Sequence, residues 1–198
     1  YIDKAVLAKF RYTHPYMFKR KLNLDVIRKF DIGYDSENDC ITFPIKDPNG
    51  NILYFATRNV SNKFFSYPEY ADKPLYGMFE ILREKKKGVI INEVYICESM
   101  LDALFIWACG KYAIALNGTG SKEQYELLRK SDFRLLILAT DNDKAGIKAR
   151  EKLRENVKNK LIFCEKPLFE SKKDFEIKNN IVFVGYVLRF HPLLEKLK

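Results

Sequence analysis

Several acidic residues stand where their chemistry could be pooled. Glu98 follows the apolar run Val-Tyr-Ile-Cys, and Asp141 and Asp143 follow Leu-Leu-Ile-Leu-Ala-Thr. Asp174 and Glu176 come after a further run, Leu-Ile-Phe-Cys. If these runs are parallel strands, their carboxyl ends bring the acids to one edge of one sheet, where α/β proteins bind ligands. Clustered carboxylates repel and raise one another's pKa. A hard divalent cation such as Mg²⁺, which takes oxygen ligands and sits between carboxylates and phosphates, would neutralise them. Alternation along a strand lets Asp141 and Asp143 leave on the same side. Asp102, one helical turn beyond Glu98, is placed to orient the site from behind. The small-residue loop Gly118-Thr119-Gly120 lies between the acids in sequence, and its backbone can approach a phosphate closely. Each residue also has a plainer role open to it. Asp143 could cap the helix that follows, and Asp102 could pair with a lysine.

The pattern around the acids supplies the elements that must hold them. Strands are expected over 93–97, 112–116, 133–139 and 161–164, and helices over 100–109, 121–130 and 144–157. Ser121 with Gln124 forms a capping box. Ala145, Ala149, Leu153 and Val157 recur every four residues as an apolar stripe on a charged helix. This strand–helix alternation predicts a mostly parallel sheet covered by helices on both faces. The apolar run 181–190 fits a strand or a buried helix, and periodicity does not decide. Upstream the pattern differs. Residues 1–30 are helix-prone and basic, with eight Lys/Arg against two Asp. Residues 41–45 and 52–60 flank Asp47-Pro48-Asn49-Gly50 and predict a β-hairpin, since Asn and Gly both tolerate positive φ. Residues 61–77 are aromatic and irregular, a helix is expected over 78–87, and Gly88 stops it. The expected division is a basic α+β subdomain over 1–90, the parallel-sheet domain over 91–180 and a C-terminal extension over 181–198.

Composition narrows the function classes. The chain has 198 residues, 47 % of them apolar, enough to bury a core. Lys and Arg total 35 against 26 Asp and Glu, a net charge of +9, which favours a polyanionic partner. No apolar run is long enough for a membrane span. Cys40, Cys97, Cys109 and Cys164 lack C-x-x-C spacing, so neither a zinc site nor a disulfide framework is expected. Cys97 and Cys164 read as buried thiols, and a reducing, cytoplasmic setting fits. His14 and His191 are isolated. No Ser-His-Asp or Cys-His set is evident.

The segments Cys97-Glu98-Ser-Met-Leu-Asp102, Asn117-Gly118-Thr119-Gly120 and Thr140-Asp141-Asn142-Asp143-Lys144-Ala145-Gly146 resemble the TOPRIM signature of primases, topoisomerases, nucleases and recombination proteins. Upstream, Phe30-Asp31-Ile32-Gly33-Tyr34, Ile41-Thr42-Phe43-Pro44-Ile45-Lys46-Asp47, Phe55-Ala56-Thr57-Arg58, Lys63-Phe64-Phe65-Ser66-Tyr67-Pro68-Glu69 and Leu75-Tyr76-Gly77 are similar, in order and spacing, to segments of bacterial (DnaG-type) primases. The resemblance runs through residues 30–177. Cys40, Thr57 and Ser99 depart from it, and Lys173-Asp174-Phe175-Glu176 matches its last acidic motif in part. It implies template-directed synthesis of RNA primers on single-stranded DNA from NTPs. Glu98, Asp141 and Asp143 would be catalytic and, with Asp174, hold Mg²⁺ or Mn²⁺. Glu176 is a weaker candidate. Arg58, Lys63, Lys73, Gly118 and Thr119 would contact nucleotide or DNA, and Asp102 would support the acids. No zinc is expected in this chain. A replicative helicase or a separate zinc-binding domain would be its protein partner, with no membrane association, and the divergence suggests a phage or mobile-element source. The readings to set against this are a TOPRIM nuclease or topoisomerase-like enzyme, and a module that binds nucleic acid without catalysis.

Overall fold

The computed structural model describes residues 1–62, 64–69, 71–141, 143–165 and 181–185. The first part begins with a 3₁₀ helix, Lys4–Phe10, and two short α-helices, α1 (Pro15–Lys19) and α2 (Leu24–Lys29). The sequence supplies their starts: Asp3, His14 and Asn23 each accept a backbone N–H in the first turn. An antiparallel sheet follows in the order β1 (Gly33–Asp35), β2 (Cys40–Lys46), β3 (Ile52–Asn59) and β4 (Phe65–Ser66). The expected hairpin is β2–β3, with its turn at 47–50. Of the Asn-Gly pair, only Gly50 has positive φ. The Asp47 carboxylate does the rest, accepting from the N–H groups of Asn49 and Asn51 at 2.9 Å each. The short pairing strands β1 and β4 add to what the sequence predicts, and β4 lies within the aromatic stretch read as irregular.

Helix α3 (Met78–Lys86) leads into the second sheet. Its elements run β5 (Glu93–Cys97), α4 (Met100–Ala108), β6 (Ala113–Ala115), α5 (Lys122–Lys130), β7 (Leu135–Leu138), α6 (Lys144–Asn156), β8 (Leu161–Glu165) and β9 (Ile181–Gly185). All five strands are parallel, in the order β6-β5-β7-β8-β9. The run that periodicity left open is therefore a strand through Gly185. The division placed at residue 181 cuts through this sheet, because β9 hydrogen-bonds to β8 along its length.

The strand order fixes where the site lies. The connection from β5 moves to β6 on one side, whereas that from β7 moves to β8 on the other. Right-handed crossovers in opposite directions put their helices on opposite faces. Accordingly α6 packs with α5, and α4 packs with α2 of the first part. The carboxyl ends of β5 and β7 thus flank the point where the topology reverses, which is the crevice of an open α/β sheet.

One interior runs through both parts. Phe30 stacks on Tyr76 at 5.4 Å and meets Trp107 edge-on at 5.3 Å, and Trp107 Nε1 donates to the Ala113 carbonyl at 2.9 Å. Tyr76 and Ala115 exchange backbone hydrogen bonds of 3.1 and 3.0 Å across the free edge of β6. On α6 the buried residues are Gly146, Ile147, Ala149, Arg150 and Leu153, while Ala145 is exposed. A four-residue repeat drifts by about 40° per step around a helix. The expected stripe therefore holds for Ala149, Leu153 and Val157 and leaves the core at Ala145.

Candidate active site

The chain leaves β5 at Cys97 and enters α4 through Ser99, whose hydroxyl accepts the Asp102 N–H as N-cap. Glu98 lies between them, half-buried. One strand away, the chain leaves β7 through Ala139 and Thr140 and enters α6 at Asp143. The two turns meet: Glu98 Oε1 accepts the backbone N–H of Asp141 at 2.8 Å. Gly146 permits the approach. A Cβ there would lie 1.9 Å from the Asp141 carbonyl oxygen and 2.6 Å from Glu98 Oε1. The D-x-D-x-x-G spacing therefore carries a steric requirement as well as an electrostatic one.

Electrostatics mark Glu98 as the strained member. Burial pushes its carboxyl pKa up. The Asp141 N–H opposes that rise, the charges of Asp141 and Asp143 add to it, and Arg150 opposes it. Asp143 also takes the structural role open to it, accepting the Gly146 N–H at 2.8 Å as the N-cap of α6. Asp141 is exposed, and among the described residues no hydrogen bond reaches its carboxylate. Asp102 is exposed and accepts from the Ser99 hydroxyl, so it sits beside the site rather than between its carboxylates. The Cys97 thiol is fully buried and its pKa is driven up by burial and by the neighbouring acids, which removes it as a ligand.

The loop between β6 and α5 forms the other wall. The Gly118 N–H donates to the Glu98 carbonyl at 3.1 Å, tying the loop to the end of β5. The Thr119 carbonyl accepts from the Tyr125 hydroxyl. Asn117 adopts positive φ, and its side-chain amide is buried with neither polar atom partnered among the described residues. Lys73 Nζ donates to the Asn117 carbonyl at 3.3 Å and lies 4.7 Å from the Tyr67 ring centroid. Gln124 brings Lys73 there. Its Oε1 closes the capping box with Ser121, while Nε2 donates to the carbonyls of Lys73 (2.7 Å), Pro74 (3.3 Å) and Leu116 (3.1 Å). The sequence showed the cap and not the tether.

Arg58 stands further along the first sheet. Its Nε donates to the Tyr16 hydroxyl at 2.7 Å, and its guanidinium lies 4.7 Å from the Phe65 ring centroid. Phe65 in turn stacks on Tyr67 at 6.2 Å. Two cations, Arg58 and Lys73, therefore flank the stacked rings of Phe65 and Tyr67. Lys63, Asp174 and Glu176 lie outside the described residues. Sequence reasoning also missed Arg150, which is read as one more charge on a polar helix and is 1 % exposed.

The donor chemistry here is oxygen only, which suits a hard cation. Burial, with the charges of Asp141 and Asp143 added, disfavours the Glu98 anion, and Asp141 has a carboxylate left over, a condition a divalent ion would relieve. Among the described residues no three acidic, imidazole or thiol side chains already form a metal cage. Nor is any helix of the described residues long and apolar enough to cross a membrane.

Comparison with known proteins places this arrangement. Residues 95–177 match a family model described as Toprim-like. The DNA primase of Pseudomonas aeruginosa is 30 % identical over 63 % of this chain and 19 % of its own length, so the chain spans about a fifth of that relative. The solved DnaG catalytic core superposes with a TM-score of 0.59 at 23 % identity, over 72 % of this chain and 58 % of that one. A DnaG primase catalytic domain bound to single-stranded DNA gives 0.56 at 23 %, over 72 % and 57 %. Glu98, Asp141, Asp143 and the Gly118 loop all fall within the matched residues. Residues 95–177 are thus Toprim-like, and the chain is similar to DNA primases of bacteria.

Proposed function

We propose that the chain is the catalytic core of a DNA primase, building short RNA primers on single-stranded DNA by nucleotidyl transfer. The observation that carries the reading is the Glu98–Asp141 contact at the topological switch of the parallel sheet. It faces a wall of exposed lysine and glycine backbone rather than a general base. In this reading residues 1–90 face the template and the parallel-sheet part faces the nucleotide. Glu98, Asp141 and Asp143, joined by Asp174, hold Mg²⁺ or Mn²⁺. Such an ion would supply charge neutralisation for a triphosphate and its pyrophosphate product and would make a 3′-hydroxyl more acidic. The protein's own groups do the positioning. Lys73, tethered by Gln124, offers its ammonium to a phosphate beside the Gly118 and Thr119 backbone. Arg58, braced by Tyr16, and the rings of Phe65 and Tyr67 give a single strand charge beside stacking surface. Glu98 and Asp141 stay fixed against each other, so no reorganisation of the acids is needed when the nucleotide arrives.

The test is synthesis by the full chain from labelled NTPs on single-stranded DNA with Mg²⁺ or Mn²⁺. RNA of primer length that disappears in Asp141→Ala supports the proposal. DNA cleavage without synthesis makes the chain a nuclease, and synthesis that survives Asp141→Ala removes the acids from the chemistry.

A further inference from the structure

Arg150 is a charged side chain in an unexpected place. It lies on α6 among Lys148, Glu151, Lys152 and Arg154, all of them partly or fully exposed. Yet it is 1 % exposed and is the bulkiest of the fully buried side chains. A guanidinium cannot be deprotonated in a protein, so burial forces it to find oxygen partners. Those partners are specific. Arg150 Nη1 donates to Thr140 Oγ1 at 3.0 Å, and lies 3.3 Å from the Asp141 carbonyl and 3.4 Å from the Thr140 carbonyl. The Thr140 hydroxyl passes the contact on, donating to the Gly146 carbonyl at 3.3 Å. One nitrogen thus gathers the oxygens of the two residues that carry the chain out of β7. The peptide it grips at Asp141 leads straight back to the N–H that meets Glu98.

We propose that Arg150 is a positioning residue. By holding the Thr140 and Asp141 carbonyls from beneath, it sets the turn that presents the Asp141 N–H to Glu98 and fixes the two carboxylates relative to each other. It acts through the backbone and touches neither nucleotide nor cation. The inference rests on the proposed metal-binding role of these acids only for its second readout.

Arg150→Met keeps the apolar stem and removes the head, Thr140→Val removes one hydrogen-bonding oxygen, and Arg150→Lys restores a single donor nitrogen. The first readout is amide hydrogen exchange in the metal-free full chain. Arg150→Met is expected to lower protection of the Asp141 amide by about tenfold, while Ile96 and Leu138 in the strands change little. Thr140→Val should show the same pattern more weakly, and Arg150→Lys should recover part of it. The second readout is Mn²⁺ binding followed by electron paramagnetic resonance, without nucleotide or template. Its sign discriminates. Deleting a nearby positive charge would by Coulomb's law tighten a cation, whereas losing the positioning loosens it, here by about fivefold or more. Unchanged Asp141 protection in Arg150→Met, or Mn²⁺ bound as tightly as before, overturns the proposal. If Arg150→Met does not fold, Thr140→Val and Arg150→Lys carry the same comparison. A wild-type chain that binds no Mn²⁺ refutes the metal reading, and the exchange measurement then decides the positioning role by itself.

Discussion

Glu98 and Asp141 stand at the ends of neighbouring parallel strands and are joined by a hydrogen bond of 2.8 Å from the backbone of one to the carboxylate of the other. A glutamine at 98 keeps an oxygen for that bond and removes the charge. Glu98→Gln is therefore expected to abolish Mn²⁺ binding and primer synthesis without unfolding the chain. Its effect on stability has a definite sign. The Glu98 pKa is raised by burial and by the charges of Asp141 and Asp143. Its ionised form is thus a cost that is absent in acid and appears as pH rises through the raised value. Melting of the metal-free variant should exceed that of the parent near pH 7, with the gap closing as pH falls toward the carboxylate range. A gap independent of pH would refute this account.

Asp143 caps α6 while carrying one of the three negative charges, and two substitutions separate these roles. Asn is as good an N-cap as Asp, so Asp143→Asn should hold stability to within about 0.5 kcal/mol. Asp143→Ala should lose about 1 kcal/mol in urea titration. Both should lose primer synthesis. Activity retained in the Asn variant would reduce Asp143 to a cap.

Alanine for glycine in a helix ordinarily stabilises by about 1 kcal/mol. At Gly146 the sign should invert. A methyl group would be driven into the Asp141 carbonyl and Glu98 Oε1, a contact that backbone must move to relieve. Gly146→Ala is expected to cost about 2–3 kcal/mol in equilibrium unfolding and to disrupt the Glu98–Asp141 contact.

Lys73 is exposed, and its neighbours are a ring face and a main-chain oxygen. Lys73→Ala should leave the fold nearly unchanged and weaken binding of single-stranded DNA or nucleotide. If the ammonium meets a phosphate, the slope of log affinity against log salt should fall by about one. An unaltered slope, measured by fluorescence anisotropy, would place Lys73 outside the path of the nucleic acid.

Lys46 and Glu80 are 5 % and 4 % exposed and lie 3.0 Å apart, with Asp31 at 2.9 Å on the rim. Removing one partner leaves a buried charge alone. Lys46→Met should cost about 3–5 kcal/mol in equilibrium unfolding, most of it recovered when Glu80→Leu is added. A cost that persists in the double variant would mean that packing around the lysine stem, not charge, is what the site needs.

The alternation of apolar runs and amphipathic stretches made the parallel sheet legible, because its strands lie between helices that each have a distinct cap. The position of Glu98, Asp141 and Asp143 just beyond strand ends was legible for a related reason: strand ends are set by pattern, and the residues after them are few. What escaped the sequence depends on tertiary neighbours. β1 and β4 are too short to carry a period, and they become strands by pairing with β2 and β3. The run 181–190 carries no period that separates a strand from a buried helix, and it is the pairing with β8 that makes 181–185 a strand. Arg150 looks like its solvated neighbours until the carbonyls that receive it are in place. Gln124 shows its cap in four residues of sequence, but its grip on the carbonyl of Lys73 spans fifty-one.

The backbone exchange between Tyr76 and Ala115 lies at the open side of β6. A bare strand there would offer unpaired N–H and C=O groups to any passing chain. The antiparallel segment at Tyr76 occupies them, and Gly77 keeps the fit close, since a Cβ there would lie 2.7 Å from the Ala113 carbonyl. The first part of the protein is therefore the chaperone of the second as well as its neighbour. It occupies the edge along which a parallel sheet could pair with copies of itself, and cutting the chain between the two parts would lay that edge bare.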